Sequence, residues 1–106
     1  MKPPKKDDKV LFSLLEEKIN KKQYRFLLHA RKRQKDRSIT EVDVIKILKG
    51  ERRYNRRRNK SKDSYQEGRE DWKYCIEGIN MDDEHIRVIV TFEGDLMPII
   101  TVIKLI

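Results

Sequence analysis

The chain has 106 residues, of which 37% are apolar and 42% charged, with a net charge of +8. That length allows one domain with one modest core, and no apolar run approaches the roughly 20 residues of a membrane-spanning helix. A balance this basic points to a polyanionic partner, nucleic acid first and an acidic protein second.

Low apolar content alone would lean toward disorder, but the apolar residues gather in periodic blocks separated by charged stretches. Residues 1–6 hold two prolines and three lysines and are expected to form a disordered tail; no signal-peptide cleavage pattern follows them. From residue 7 to about residue 20, Val10, Leu11, Leu14, Leu15 and Ile19 recur at helical spacing. Asp7 and Asp8 stand where acidic residues favour a helix start. The segment QYRFLL at 23–28 alternates Tyr24, Phe26 and Leu28 against Gln23, Arg25 and Leu27, which reads as a short strand leading into His29. Residues 30–37 favour helix by propensity. Thr40 is an N-cap for a further helix with Glu41 and Asp43 in its first turn, and Gly50 ends it. On that helix Val42, Ile45 and Leu48 share a face, with Val44 and Ile47 at its edges.

Residues 51–70 offer almost nothing to bury and read as a long basic loop carrying Arg52, Arg53, Arg56, Arg57, Arg58, Lys60 and Lys62. The last third reads as sheet. Trp72, Tyr74 and Ile76 alternate with Lys73, Cys75 and Glu77, then come IRVIVTF at 86–92 and MPIITVIKLI at 97–106. Three strands with short turns predict an antiparallel meander, and helices packed on a small antiparallel sheet define an α+β domain over 7–106.

The chemistry available is narrow. Cys75 is the only cysteine, which excludes an intrachain disulfide framework and zinc-ribbon spacing and suits a reducing cytosol. His29, His85 and Cys75 lie far apart without metal-ligand spacing, so no metal or other cofactor is expected. The glycines at 50, 68, 78 and 94 are isolated, so no phosphate-cradling loop exists. What remains is chemistry that histidine, arginine, tyrosine and hydroxyls perform alone. Metal-independent RNA cleavage is such a case: the ribose 2′-hydroxyl attacks the adjacent phosphate, histidine moves protons and arginine neutralises the phosphate. His29, Arg33 and Arg37 follow one another at turn spacing, a line suited to a phosphate. The same residues also fit a solvated helix face with His29 as a cap. Likewise Arg52, Arg53, Arg56, Arg57 and Arg58, with Tyr54 stacking on a base, could track an RNA backbone, or the loop could order only against a partner. Tyr74 is open between base stacking and packing.

The phrase YRFLLHARKRQKDRSITEVDVIKILKG, followed by a short sheet, resembles a family of small bacterial toxins. Tyr24, His29, Ala30, Arg33, Arg37, Ile39, Asp43 and Val44 fit its Y-x-x-x-x-H-A-x-x-R-x-x-x-R-x-I-x-x-x-D-V pattern, and Gly50 and Thr101 agree. That family is RelE-like and MqsR-related, and the resemblance covers residues 22–106. It implies a RelE-like, barnase-like fold and the toxin of a type II toxin–antitoxin pair, a cytoplasmic, metal-free endoribonuclease that cuts messenger RNA on or off the ribosome. It further implies an antitoxin partner with a zinc finger and a helix-turn-helix. Carried over, His29 is the general acid or base, Arg33 and Arg37 hold the scissile phosphate, and Thr101 is a lesser site residue. Tyr74, Arg87 and Lys104 are sheet-borne candidates that no motif fixes. A non-enzymatic nucleic-acid-binding module using the basic 52–62 stretch shares the same charge evidence.

Overall fold

A computed structural model describes residues 2–36 and 39–105. In chain order it contains α1 (Asp8–Asn20), β1 (Tyr24–Phe26), α2 (Leu28–Asp36), α3 (Glu41–Lys49), a 3₁₀ turn (Arg52–Tyr54), β2 (Arg57–Arg58), a second 3₁₀ turn (Lys60–Lys62), β3 (Tyr74–Ile79), β4 (His85–Val90) and β5 (Met97–Leu105). Three α-helices and one open five-stranded sheet make an α+β fold, the class that the element order predicts.

The helices begin and end for local reasons. Asp7 accepts a hydrogen bond from the Val10 N–H and caps α1, and Thr40 does the same for the Asp43 N–H at the start of α3. Gly50 closes α3 at φ 81°, a left-handed conformation that a side chain would strain. Helix α1 buries Leu11, Leu15 and Ile19, and α3 buries Val44, Ile47 and Leu48. Each such side chain contributes about 1.5–3 kcal/mol when taken fully out of water. The face of α3 is rotated from the expected one: Val42 is 57% exposed and Ile45 is half-buried.

The expected antiparallel meander is present as β3, β4 and β5, but the sheet is larger and mixed, with strand order β1-β5-β4-β3-β2. Strand β1 pairs parallel with β5, Tyr24 opposite Met97 and Phe26 opposite Ile99. The two-residue β2 pairs antiparallel with β3. Strand β1 falls within the 23–28 segment whose alternation predicts a strand, but its parallel pairing with β5 could not be read from sequence, and the two residues of β2 carry too little alternation to read. Asn80 shapes the β3–β4 turn, its Oδ1 accepting from the Asp82 and Glu84 N–H groups at 3.0 and 2.9 Å. A register shift beside Ile89 and Val90 places Ile99 opposite Val90 and Thr101 opposite Ile89, so Ile100 bulges.

Tyr74, Ile76, Val88, Val90, Ile99 and Val102 fill one face of the sheet and form a single core with α1, α3 and Ala30 of α2. Gly78 lies on this face because α3 comes so close: a Cβ there would stand 2.8 Å from Ile47 Cγ1 and 2.8 Å from the Tyr54 carbonyl oxygen. On the other face Ile79, Ile89, Thr101 and Ile103 remain half-exposed. That open face carries the polar groups described next.

The sequence predicts a disordered tail over residues 1–6. Residues 2–6 lie across Trp72, whose indole N–H donates to the Pro3 carbonyl at 2.8 Å while the Lys5 ammonium sits 4.6 Å from the ring centre. Lys6 adds a salt bridge to Asp71.

Candidate functional site on the open sheet face

Alternation along a strand sends successive side chains to opposite faces, and directly paired residues share a face. With Tyr74, Ile76 and Gly78 inward, Cys75, Glu77 and Ile79 face outward. Their partners Ile89, Arg87 and His85 face outward with them, as do Thr101, Ile103 and Leu105 of β5. Arg57 of β2 pairs with Glu77 and so joins the same face.

Four side chains converge there. Glu77 has only 8% of its side chain exposed; its Oε2 accepts from Arg87 Nε at 2.9 Å and from Asn59 Nδ2 at 3.0 Å, and its Oε1 lies 3.7 Å from Arg57 Nε. Arg57 Nη2 in turn lies 3.5 Å from His85 Nδ1. Burial pushes the Glu77 carboxyl up, but the hydrogen bonds from Asn59 and Arg87 and the charges of Arg87 and Arg57 outweigh it and hold the group below the usual carboxylate range. Glu77 is therefore an ionised tether between two guanidiniums, and the group keeps an excess of positive charge. Arg57 and His85 are exposed and Arg87 is half-buried, so their free N–H groups can receive an oxyanion. Burial also pushes the neighbouring Cys75 thiol up to about 11, Arg87 opposing and Glu77 and Asp63 adding. That thiol is a packed group, not a nucleophile.

The residues singled out in the sequence divide among three places. His29 and Arg33 lie on α2, His29 exposed and Arg33 half-buried, and α2 packs along β5. Arg37 lies outside the described residues. Thr101 is half-exposed on the open face, opposite Ile89. Among the described residues no hydrogen bond or ion pair joins His29, Arg33 and Thr101. Helix α2 packs along β5, two strand spacings, about 10 Å, from β3 and one from β4, and among the described residues no hydrogen bond or ion pair joins His29 or Arg33 to the Glu77 group. Arg57 alone of the basic stretch belongs to that group. Lys104, opposite Ile86 on the inward face, pairs with Glu84 at 2.7 Å.

Residues 51–70 correct the expectation of an open loop. Arg52 and Arg53 are exposed, but Tyr54 is 3% exposed and packs in the core, so it offers no stacking surface. Arg56 folds back over the Phe12 ring at 4.1 Å, donating to the Leu48 carbonyl and to Glu16. Arg58 has 1% of its side chain exposed; it pairs with Asp63 and Asp8, both at 2.8 Å. These two arginines hold the fold and present no guanidinium to a strand of RNA. Tyr74 is also removed from stacking: it is fully buried, its hydroxyl donating to Asp71 at 2.7 Å and accepting from the Lys6 N–H, and burial raises its phenol above the ordinary value.

Sequence reasoning placed Arg87 among the sheet candidates but missed Glu77 and the nearness of His85. A signal existed. Pairing the third- and second-last strands about the Asn80–Glu84 turn sets Glu77 opposite Arg87. Arg57 could not be found this way, because β2 has no pattern of its own. Among the described residues no three His, Cys, Asp or Glu side chains converge in an arrangement that could hold a metal ion, and no helix is long and apolar enough to cross a membrane.

The fold and site together define a small basic α+β domain with helices behind one sheet face and an arginine–histidine–glutamate group on the other. Residues 26–104 match the family model described as a domain of unknown function, DUF4258. The match spans most of the chain, so the protein belongs to that family; α1 lies outside it. No curated protein and no solved structure matches the chain.

Proposed function

We propose that the protein is a metal-independent endoribonuclease of the RelE-like, MqsR-related toxin type, acting on messenger RNA in the cytoplasm and held in check by a cognate antitoxin. The observation that carries this reading is the pair of guanidiniums tethered by Glu77 beside the exposed His85. Arg57 and Arg87 bind the scissile phosphate and stabilise the extra negative charge of its transition state. His85 takes the proton from the ribose 2′-hydroxyl as the O2′–P bond forms. The P–O5′ bond breaks, and the leaving oxygen takes a proton from water. The products are a 2′,3′-cyclic phosphate and a 5′-hydroxyl. Glu77 is a positioning residue, since its oxygens are already engaged by the arginines.

His29, Arg33 and Thr101, which the family resemblance singles out, act in this scheme on the neighbouring stretch of the same RNA. Thr101 shares the open face and α2 packs along the same strand, β5, so an RNA strand running from β2 across β5 passes Thr101 and approaches α2. The test is incubation of the purified protein with a long single-stranded RNA in EDTA, with analysis of the new ends. Cleavage leaving 2′,3′-cyclic phosphates supports the reading. The exposed Arg52, Arg53, Lys60 and Lys62 favour a second reading, a nucleic-acid-binding module without turnover. RNA that is bound but left intact, both alone and in a translating extract, would establish that instead.

A further inference from the structure

We infer that the outer edge of β1, with the groove beside it, is a docking site for an extended acidic segment of a partner protein, which adds a strand to the sheet. The inference is independent of whether the open face cuts RNA. Strand β1 is the last of its sheet, so one of its edges has no neighbour. The Gln23 carbonyl accepts from the Met97 N–H and the Leu27 N–H donates to the Ile99 carbonyl. Alternate residues of a parallel strand point their backbone groups to opposite sides. Tyr24 and Phe26 therefore direct their N–H and C=O groups outward, and among the described residues nothing bonds them. Unpaired edge groups of this kind are a template for another strand.

Beside that edge lies a groove of about 500 Å³ between the end of α1, β1 and α3. Ile19, Tyr24 and Ile45 supply apolar floor, and Val42 stands 57% exposed at its lip. The rim decides the occupant. Lys22, Lys46 and Lys49 line it and form no ion pair among the described residues, although the Lys46 ammonium lies 5.8 Å from the centre of the Tyr54 ring. Of the two rim carboxylates, Glu41 is held by Arg31 at 3.2 Å, which leaves Glu51. Three ammonium groups facing one free carboxylate call for a negatively charged guest, and an apolar floor calls for side chains that are not. A strand whose groove-facing positions carry both apolar and acidic residues meets both needs, apolar side chains over the floor and acidic ones at the lysine rim of the same groove. A second copy of this chain does not, because it would bring the same lysines and Arg25 against themselves.

A short blocked peptide with valine and glutamate on one strand face and threonine between them (a Val-Thr-Glu-Thr repeat), titrated into the full chain, tests this directly. Amide chemical-shift changes and slowed hydrogen exchange are expected at Tyr24 and Phe26. Lys49→Glu and Val42→Asp, both at exposed positions that do not threaten folding, should each weaken the peptide roughly tenfold or more, and a lysine–valine peptide should not bind. No change at Tyr24 and Phe26 would overturn the proposal. So would affinity unaffected by both substitutions, or displacement of the peptide from this groove by single-stranded RNA.

Discussion

Glu77 keeps its charge inside a sheet because Arg87, Asn59 and Arg57 reach it from three strands or turns. Its folded-state pKa lies below the unfolded value. Such a carboxylate stabilises the fold fully above the ordinary carboxylate range, and the contribution is lost as pH falls through the folded value. Urea midpoints should therefore drop as pH is lowered from 7 toward about 3, and Glu77→Gln should drop less over the same range. Equal slopes for the two proteins would remove the tether from the account. Gly78 makes a second prediction at this scale. Ile47 could shift away from an added methyl, but the Tyr54 carbonyl 2.8 Å off is backbone and yields less. Gly78→Ala should cost about 1–3 kcal/mol by chemical denaturation; a neutral outcome would mean that α3 and β3 are less tightly opposed than described.

At the scale of elements, the basic stretch between α3 and β3 is held by buried ion pairs. Asp63, whose side chain is fully buried, accepts from Arg58 and from the Cys75 N–H, and so ties β2, the second 3₁₀ turn and β3 together. Arg58 reaches on to Asp8 at the start of α1. Removing one partner of a buried pair leaves the other charge uncompensated. Asp63→Ala should cost about 3 kcal/mol and lower Tm by on the order of 15 °C, whereas Arg52→Ala, at an exposed site, should change Tm little. The same stretch shows where the sequence stops being legible. The amphipathic period of α1, the capping residues of α3 and the alternation of β3 to β5 are local patterns and predict their elements correctly. The use of Arg56 and Arg58 as structural cations depends on Phe12, Glu16, Asp8 and Asp63, partners distant in the chain or unmarked by any pattern. The charge run therefore reads as surface although two of its five guanidiniums, Arg56 and Arg58, are inside. The rotated face of α3 has a similar cause: tertiary packing chose Val44 and Ile47 over Val42, and left Val42 at the groove.

Across the whole molecule, a line of cationic side chains crosses the open face, from Arg57 on β2 through Arg87 and His85 on β4 to Arg25 on β1. Single-stranded RNA bound along it displaces counterions, so log affinity should fall linearly with log salt. Each arginine that contacts a phosphate adds about 0.7 to the slope. Arg57→Ala and Arg87→Ala should each flatten the slope by about that amount, while Arg56→Ala should leave it unchanged, because its guanidinium is spent on Leu48 and Glu16. The His85 assignment is tested most directly by the single-turnover rate of RNA cleavage in EDTA for wild type, His85→Ala and His29→Ala, with circular dichroism confirming that each is folded. The account predicts that His85→Ala loses about 100-fold or more, and that His29→Ala, a residue that the scheme gives no proton transfer, loses much less. Wild-type cleavage by folded His85→Ala, with the loss falling on His29→Ala instead, would move the chemistry from the sheet to α2 and contradict it.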